Sequence, residues 1–151
     1  MDEQASGAAR MMGALHDAAK SLSTFGYDQY LTHPSVRWHR WNAVGGGVDP
    51  LADVGVVFDL EDGDTQVCCA ASIRLQDGHF VITADVTVDD PLPGGAGDQR
   101  FLLDLPELRT TSLDECLAAL RDYTARLCAH TSVLDDLGVP RADQAASDAT
   151  S

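Results

Sequence analysis

Three stretches in the middle of the chain alternate between apolar and polar residues. They cover residues 53–61, 67–75 and 80–88. A period of two residues places the apolar side chains of a strand on one face, so each stretch predicts a strand with one buried face. Asp77-Gly78 separates the last two stretches and is a strong signal for a two-residue hairpin turn. The pattern therefore predicts an antiparallel three-stranded meander.

Turn chemistry also predicts how the first two of these strands pair. Gly63-Asp64 fits a second two-residue turn, which would pair Leu60 with Val67. The same register would place Asp53 opposite Arg74 on the outward face. Apolar residues meet apolar residues in this register, and a slip by one residue would set them on opposite faces.

Acidic residues gather at one end of the outward face in the predicted register. They are Asp59, Glu61, Asp85 and Asp89, and no basic residue lies among them. Like charges on adjacent strands cost a few tenths of a kcal/mol per close pair. A basic partner, drawn in by the cluster, would be one reason to retain that cost. The simpler interpretation is that these side chains extend into water and have no role.

Helical spacing of apolar residues flanks the meander on both sides. Residues 5–22 predict an N-terminal helix, with Gly26 as its stop. Ser112-Leu-Asp-Glu115 is a capping box, and the apolar spacing after it predicts one helix continuing to residue 137. Two amphipathic helices can cover one face of an antiparallel sheet.

Two further strands complete the predicted sheet. Residues 100–105 place Phe101, Leu103 and Leu105 on one face, after a Pro/Gly-rich loop at 89–98. With a strand at 36–44, the expected fold class is α+β. It is a two-layer sandwich with an antiparallel sheet of about five strands and both terminal helices on one face. We expect a single domain over residues 1–140 and a disordered polar tail over 141–151.

The strand at 36–44 carries the sequence RWHRWNAV and is followed by a glycine-rich turn. In a regular strand Trp38 and Arg40 point one way, while Arg37 and Trp41 point the other. An exposed Trp beside Arg is typical of protein-interface hot spots. A strand at a sheet edge also invites pairing, so we expect a monomer or an edge-paired homodimer.

Charge narrows the possible partners. The chain of 151 residues has 24 acidic and 10 basic residues, a net charge of -14. Such a surface repels nucleic acid and anionic membranes and favours a basic protein partner, although the excess acid also serves solubility. No apolar run reaches the length of a membrane span, no secretory signal is evident, and the four cysteines form no zinc pattern. We expect a cytoplasmic protein without metal or cofactor.

The histidines and tyrosines that follow the first helix leave an alternative open. A pocket near His33, His39 and Tyr30 would make the chain a small-molecule-binding or enzymatic domain. No catalytic motif surrounds these residues, so no catalytic residue is assigned.

The order of elements over residues 5–137 resembles two groups of bacterial proteins. One is the secretion-chaperone-like α/β proteins, including the YbjN-type domains, and the other is the immunity proteins of polymorphic toxin systems. Secretion chaperones usually carry a helix between the middle strands, where this chain has a Pro/Gly loop. The resemblance implies a non-enzymatic protein that binds another protein. It carries over no individual residue. From the strand patterns themselves, the partner-binding residues would be Asp59, Glu61, Asp85, Asp89, Arg37, Trp38, Arg40 and Trp41.

Overall fold

Helices at both ends enclose a run of strands in this computed structural model, which describes residues 2–44, 51–90 and 98–143. The elements are α1 (Glu3–Thr32), β1 (Arg37–Val44), β2 (Ala52–Asp59), β3 (Gln66–Gln76), β4 (His79–Asp90), β5 (Asp98–Asp104), β6 (Leu108–Thr110), α2 (Leu113–Ala129) and α3 (Val133–Asp136).

The sheet is an antiparallel meander in the order β1-β2-β3-β4-β5. The short strand β6 also pairs with β4, beyond the end of β5. Helix α1 packs on β1 and β2, and α2 packs on β3 and β4. The structure thereby confirms the predicted α+β class with an antiparallel sheet and terminal helices.

Helices α1 and α2 lie side by side and run in the same direction. An ion pair joins Arg10, in the third turn of α1, to Asp114, in the first turn of α2. Beyond the far end of α2, the amide of Gln29 donates to the carbonyl oxygen of Thr131 at 3.1 Å. The core lies between this helical layer and the inner face of the sheet. Phe25 of α1 contacts Phe58 of β2 there edge to face.

The β3–β4 hairpin forms in the predicted register. Leu75 pairs with Phe80, as a two-residue turn at Asp77-Gly78 requires. Both turn residues have positive φ, 53° for Asp77 and 75° for Gly78. This is the backbone that the right-handed twist of a hairpin favours, and Asp-Gly adopts it at low cost.

The predicted β2–β3 register is wrong by two residues. Val67 pairs with Phe58 rather than Leu60, and Asp53 faces Ser72 instead of Arg74. The hairpin closes between Leu60 and Thr65 around a four-residue loop. A shift of two residues returns each side chain to the same face, so the inward-facing residues were still predicted correctly.

Asp62 explains the wider β2–β3 loop. Its carboxylate accepts hydrogen bonds from the backbone N–H groups of Asp64 and Thr65 and from the Thr65 hydroxyl, at 2.6–2.9 Å. A two-residue turn would have given these backbone N–H groups other partners, so the Asp62 bonds stabilise the wider loop. They also lower the pKa of Asp62, with the Thr65 hydroxyl as the largest cause. Arg74, freed from the predicted pair, binds Glu107 at 2.9 Å.

Helix α1 does not stop at Gly26, as the sequence predicted, but continues to Thr32. Gly26 is buried beneath the ring of Trp38 and serves close packing instead of chain termination. The second helix is shorter than predicted: α2 ends at Ala129, and a separate turn, α3, follows. Its start is as predicted, with the Ser112 hydroxyl accepting from the Glu115 N–H.

Strand β5 contains a bulge that overturns one predicted face. Val86 pairs with Leu103 and Thr87 with Phe101, so Leu102 is the extra residue. The bulge turns Phe101 to the face opposite Leu103, whereas simple alternation placed both on one face.

The remaining predictions fall partly outside the described residues. These include most of the predicted Pro/Gly loop, the glycine-rich turn after β1, and residues 144–151 of the predicted tail. Arg141, the first residue of that tail, is held by Asp135 through two hydrogen bonds of 2.9 and 3.1 Å. No helix in the described part of the chain is long and apolar enough to cross a membrane.

Candidate interaction surface on the open sheet face

One face of the sheet has no described helix packed on it. We call it the open face. Its middle row crosses five strands and contains His39, Val57, Cys68, Thr87 and Phe101. Phe101 is 57% exposed even though it is a large apolar side chain. The open face therefore presents a large apolar side chain to solvent at its β5 end, whereas Thr87 in the same row is buried.

An acidic row borders this middle row on one side. Asp59 and Asp89 both pair with Gln66, one from each neighbouring strand. The Gln66 amide donates to Asp59 Oδ1 at 2.7 Å. Arg37 stands opposite Asp59 on the edge strand, so the row contains one basic residue. In the observed register Asp59 lies in the same row as Asp89, whereas the predicted register placed the two aspartates two residues apart along the strands.

A second acidic pair borders the middle row on its other side. Asp85 of β4 stands directly opposite Asp104 of β5. Burial raises the pKa of Asp85, and the charge of Asp104 adds to the rise. Sequence reasoning did not select Asp104. The sequence shows an aspartate at this position of the strand RFLLDL. It does not show that the aspartate pairs with Asp85, because that pairing depends on the position of β5 along β4.

Cys68 lies between the two acidic groups. Burial raises the pKa of its thiol to about 11, and the carboxylates of Asp85 and Asp89 contribute to that rise. The two aspartates lie on opposite sides of the middle row, and both act on its central residue. The middle row therefore runs between carboxylates on both of its sides.

The fourth predicted acid lies outside these rows. Glu61 is in the β2–β3 loop and is exposed. The wider loop removes it from the strand position that the predicted register gave it. It stands next to Asp62, whose carboxylate is already engaged within the loop.

The two tryptophans lie on opposite faces of the sheet, as alternation predicted. Trp41 is on the open face and spreads over Gly55, leaving no space for a side chain there. Trp38 is on the inner face and packs against Gly26 of α1. Arg37 consequently shares the open face with Trp41, while Arg40 shares the helix side with Trp38.

The residues of the alternative pocket do not converge. His33 is fully buried on the helix side, where its Nε2 bonds Asp135 Oδ1 at 2.9 Å. His39 is on the open face, paired with Val57. Tyr30 is 39% exposed on α1. The sheet thus separates the two histidines.

Neither a metal site nor a relative guides the interpretation further. The described residues include no group of three or more His, Cys, Asp or Glu side chains placed to hold a metal ion. No protein-family model matches the sequence, and no curated protein or solved structure matches it significantly.

Proposed function

We propose that this chain is a non-enzymatic, acidic protein-binding module that engages a basic protein partner, in the manner of an immunity protein or a secretion chaperone. The observation that supports it is the open face, whose partly apolar middle row lies between the acids Asp59 and Asp89 on one side and Asp85 and Asp104 on the other.

Each part of the open face would contribute differently to such a complex. Phe101 and Trp41 supply apolar and aromatic surface, the kind of side chain that dominates binding energy when it is desolvated. The carboxylates around them attract a basic partner and speed its diffusional encounter. Trp38 and Arg40, on the helix side, would contact the same partner only if it reaches around the β1 edge.

The test begins with capture of a partner from the native host, with the parent protein as bait. Association rates with that partner are then measured for the parent and for the double variant Asp59→Asn/Asp85→Asn. We expect the variant to keep its fold and to associate more slowly. Raising the salt concentration should slow the parent and have a smaller effect on the variant, because screening and charge removal act on the same attraction.

A matched control separates a local effect from a change in net charge. Asp17→Asn/Asp28→Asn removes the same number of charges from α1, on the other side of the sheet. This control should associate at nearly the parent's rate. If the open-face variant matches the parent at every salt concentration, the acidic residues are not the docking surface. The strand with Trp38 and Trp41 would then be the better candidate.

A further inference from the structure

A depression of about 400 Å³ lies between α1 and β1, on the helix side of the sheet. We call it the α1–β1 cleft. Its polar lining comes from four residues of the helix and two of the edge strand: His16, Lys20, Ser23, Thr24, Arg40 and Asn42. The volume is within the range of small-molecule sites.

The α1–β1 cleft has an unusual charge for this protein. It is lined by a lysine, an arginine and a histidine and by no acidic residue, in a chain with 24 acidic and 10 basic residues. Of the acids nearest in sequence on α1, Asp17 lines a depression on the flank that faces α2. Asp28 lines a neighbouring depression that shares Lys20 and Thr24 with the cleft. Strand β1 contains no acidic residue.

The basic side chains of the cleft have no counterion of their own. Lys20 and Arg40 form no ion pair with any described residue. Arg10, Arg74 and Arg126 have ion pairs, with Asp114, Glu107 and Asp122 respectively. Arg121 on α2 resembles the cleft cations, since it too forms no ion pair with any described residue. Two neighbouring cations without carboxylates leave positive potential available to a ligand.

Neutral donors accompany these cations. The Ser23 hydroxyl and the Asn42 amide line the same cleft. The Thr24 hydroxyl donates to the Lys20 carbonyl oxygen at 3.2 Å, so it can offer a ligand only its lone pairs. A guanidinium fork together with an ammonium group, one hydroxyl donor and an amide donor suits a phosphate group, which carries about 1.5 to 2 charges and three acceptor oxygens.

We propose that the α1–β1 cleft binds a phosphate group, free or as a small phosphomonoester. A carboxylate has one charge and two oxygens, so it would form fewer charge-assisted hydrogen bonds with Lys20 and Arg40 than a phosphate group would. A nucleic acid or an acidic peptide would extend beyond the cleft and meet the carboxylates of a chain with net charge -14. A small anion is affected mainly by the positive potential inside the cleft. The cleft therefore favours a small anion over a polyanion.

This site is independent of the proposed protein-binding function. The carboxylates of the open face lie on the opposite side of the sheet from Lys20 and Arg40. The variant Asp59→Asn/Asp85→Asn should therefore bind phosphate at least as well as the parent. Failure of one proposal leaves the other standing.

The experiment is a titration of the whole protein with inorganic phosphate, followed by NMR at constant ionic strength and neutral pH. We expect saturable shifts at the His16 ring, at Lys20 and at Arg40, and smaller shifts with acetate. Lys20→Gln/Arg40→Gln should weaken phosphate binding about tenfold or more, because charge-assisted hydrogen bonds are lost. Arg121→Gln, which removes an exposed and unpaired arginine on α2, is the control and should change the affinity less than about twofold.

Three results would overturn the proposal. Chemical-shift changes that do not saturate with phosphate, or that spread evenly over the surface, would show that phosphate gathers around the protein without binding at one site. Equal weakening by Arg121→Gln shows dependence on net charge alone. Shifts at the cleft from an oligoglutamate peptide, with none from phosphate, show that the cleft takes an acidic protein segment instead.

Discussion

An ideal Cβ placed on Gly26 would lie 2.6 Å from Cε3 of Trp38, so the indole ring occupies the space that any side chain at residue 26 needs. The same Cβ would lie 3.1 Å from Cγ2 of Val56 on the neighbouring strand. Helix α1 can therefore approach the edge of the sheet closely only because this residue is glycine.

Gly26→Ala should destabilise the protein although alanine is the better helix former. Overpacking of this kind costs about 1–3 kcal/mol, more than the roughly 1 kcal/mol gained in helix propensity. Urea unfolding checks the result. Gly13→Ala is the matched control, because nothing lies within 4 Å of its Cβ, and it should stabilise the fold. Adding Trp38→Leu to Gly26→Ala should recover part of the loss, and additive effects would argue against the contact.

Gly55→Ala should destabilise the protein for a reason that a second substitution cannot remove. The new Cβ would clash with the ring of Trp41, and it would also lie 2.8 Å from the carbonyl oxygen of Cys69. A ring can move aside, but the backbone of a central strand cannot. We expect a cost of about 1–3 kcal/mol by urea unfolding, and most of it should persist in Gly55→Ala/Trp41→Ala. Full recovery in the double variant would assign the whole effect to Trp41.

The Asp135 contacts predict a dependence of stability on pH. The hydrogen bond from His33 is the first cause that lowers the pKa of Asp135 below its ordinary value of 3.8, and Arg141 lowers it further. A carboxyl whose folded pKa is depressed stabilises the protein above its unfolded pKa. The contribution disappears as the pH falls through the folded value.

Asp135→Asn should accordingly lower the urea midpoint at neutral pH, and the difference from the parent should shrink in acid. Asp28→Asn is the comparison, since the Asp28 carboxylate forms no hydrogen bond or ion pair with any residue that the structure describes. It should shift the midpoint little at any pH. A difference at Asp135 that stays constant from neutral to acidic pH would show that packing, not charge, is responsible.

The pair of Asp85 and Asp104 predicts a pH dependence of stability with the opposite sign. Burial and then the Asp104 charge raise the pKa of Asp85, so its ionisation costs stability as the pH rises above 3.8. Asp104→Asn should stabilise the protein at neutral pH by a few tenths of a kcal/mol and lower the pKa of Asp85, measured by NMR of its carboxyl carbon. Asp89→Asn is the control, because its cross-strand neighbours Gln66 and Gln99 are uncharged. An unchanged Asp85 pKa would leave burial as its only cause.

Much of the candidate surface follows from alternation alone. Asp59, Asp85 and Asp89 were predicted on the outward face because parity along a strand determines which way a side chain points. The structure retains that face even though the β2–β3 register shifted by two residues. Phe101 was not predicted on this surface, because its face depends on a bulge that only the assembled sheet can position. Asp104 was not selected, because its pairing with Asp85 depends on where β5 lies along β4.

The sequence by itself determined those features whose energies are local. The Asp77-Gly78 turn and the Ser112 cap each satisfy backbone conformations and hydrogen bonds within a few residues. Tertiary structure decided which of several locally allowed arrangements formed. A hydrophobic pattern of period two is satisfied equally by registers two residues apart, and a glycine in a helix is compatible with either a stop or a close contact. The bonds that Asp62 makes within its own loop fit the observed register of the two. The ring of Trp38 covers Gly26 only once α1 and β1 have packed together.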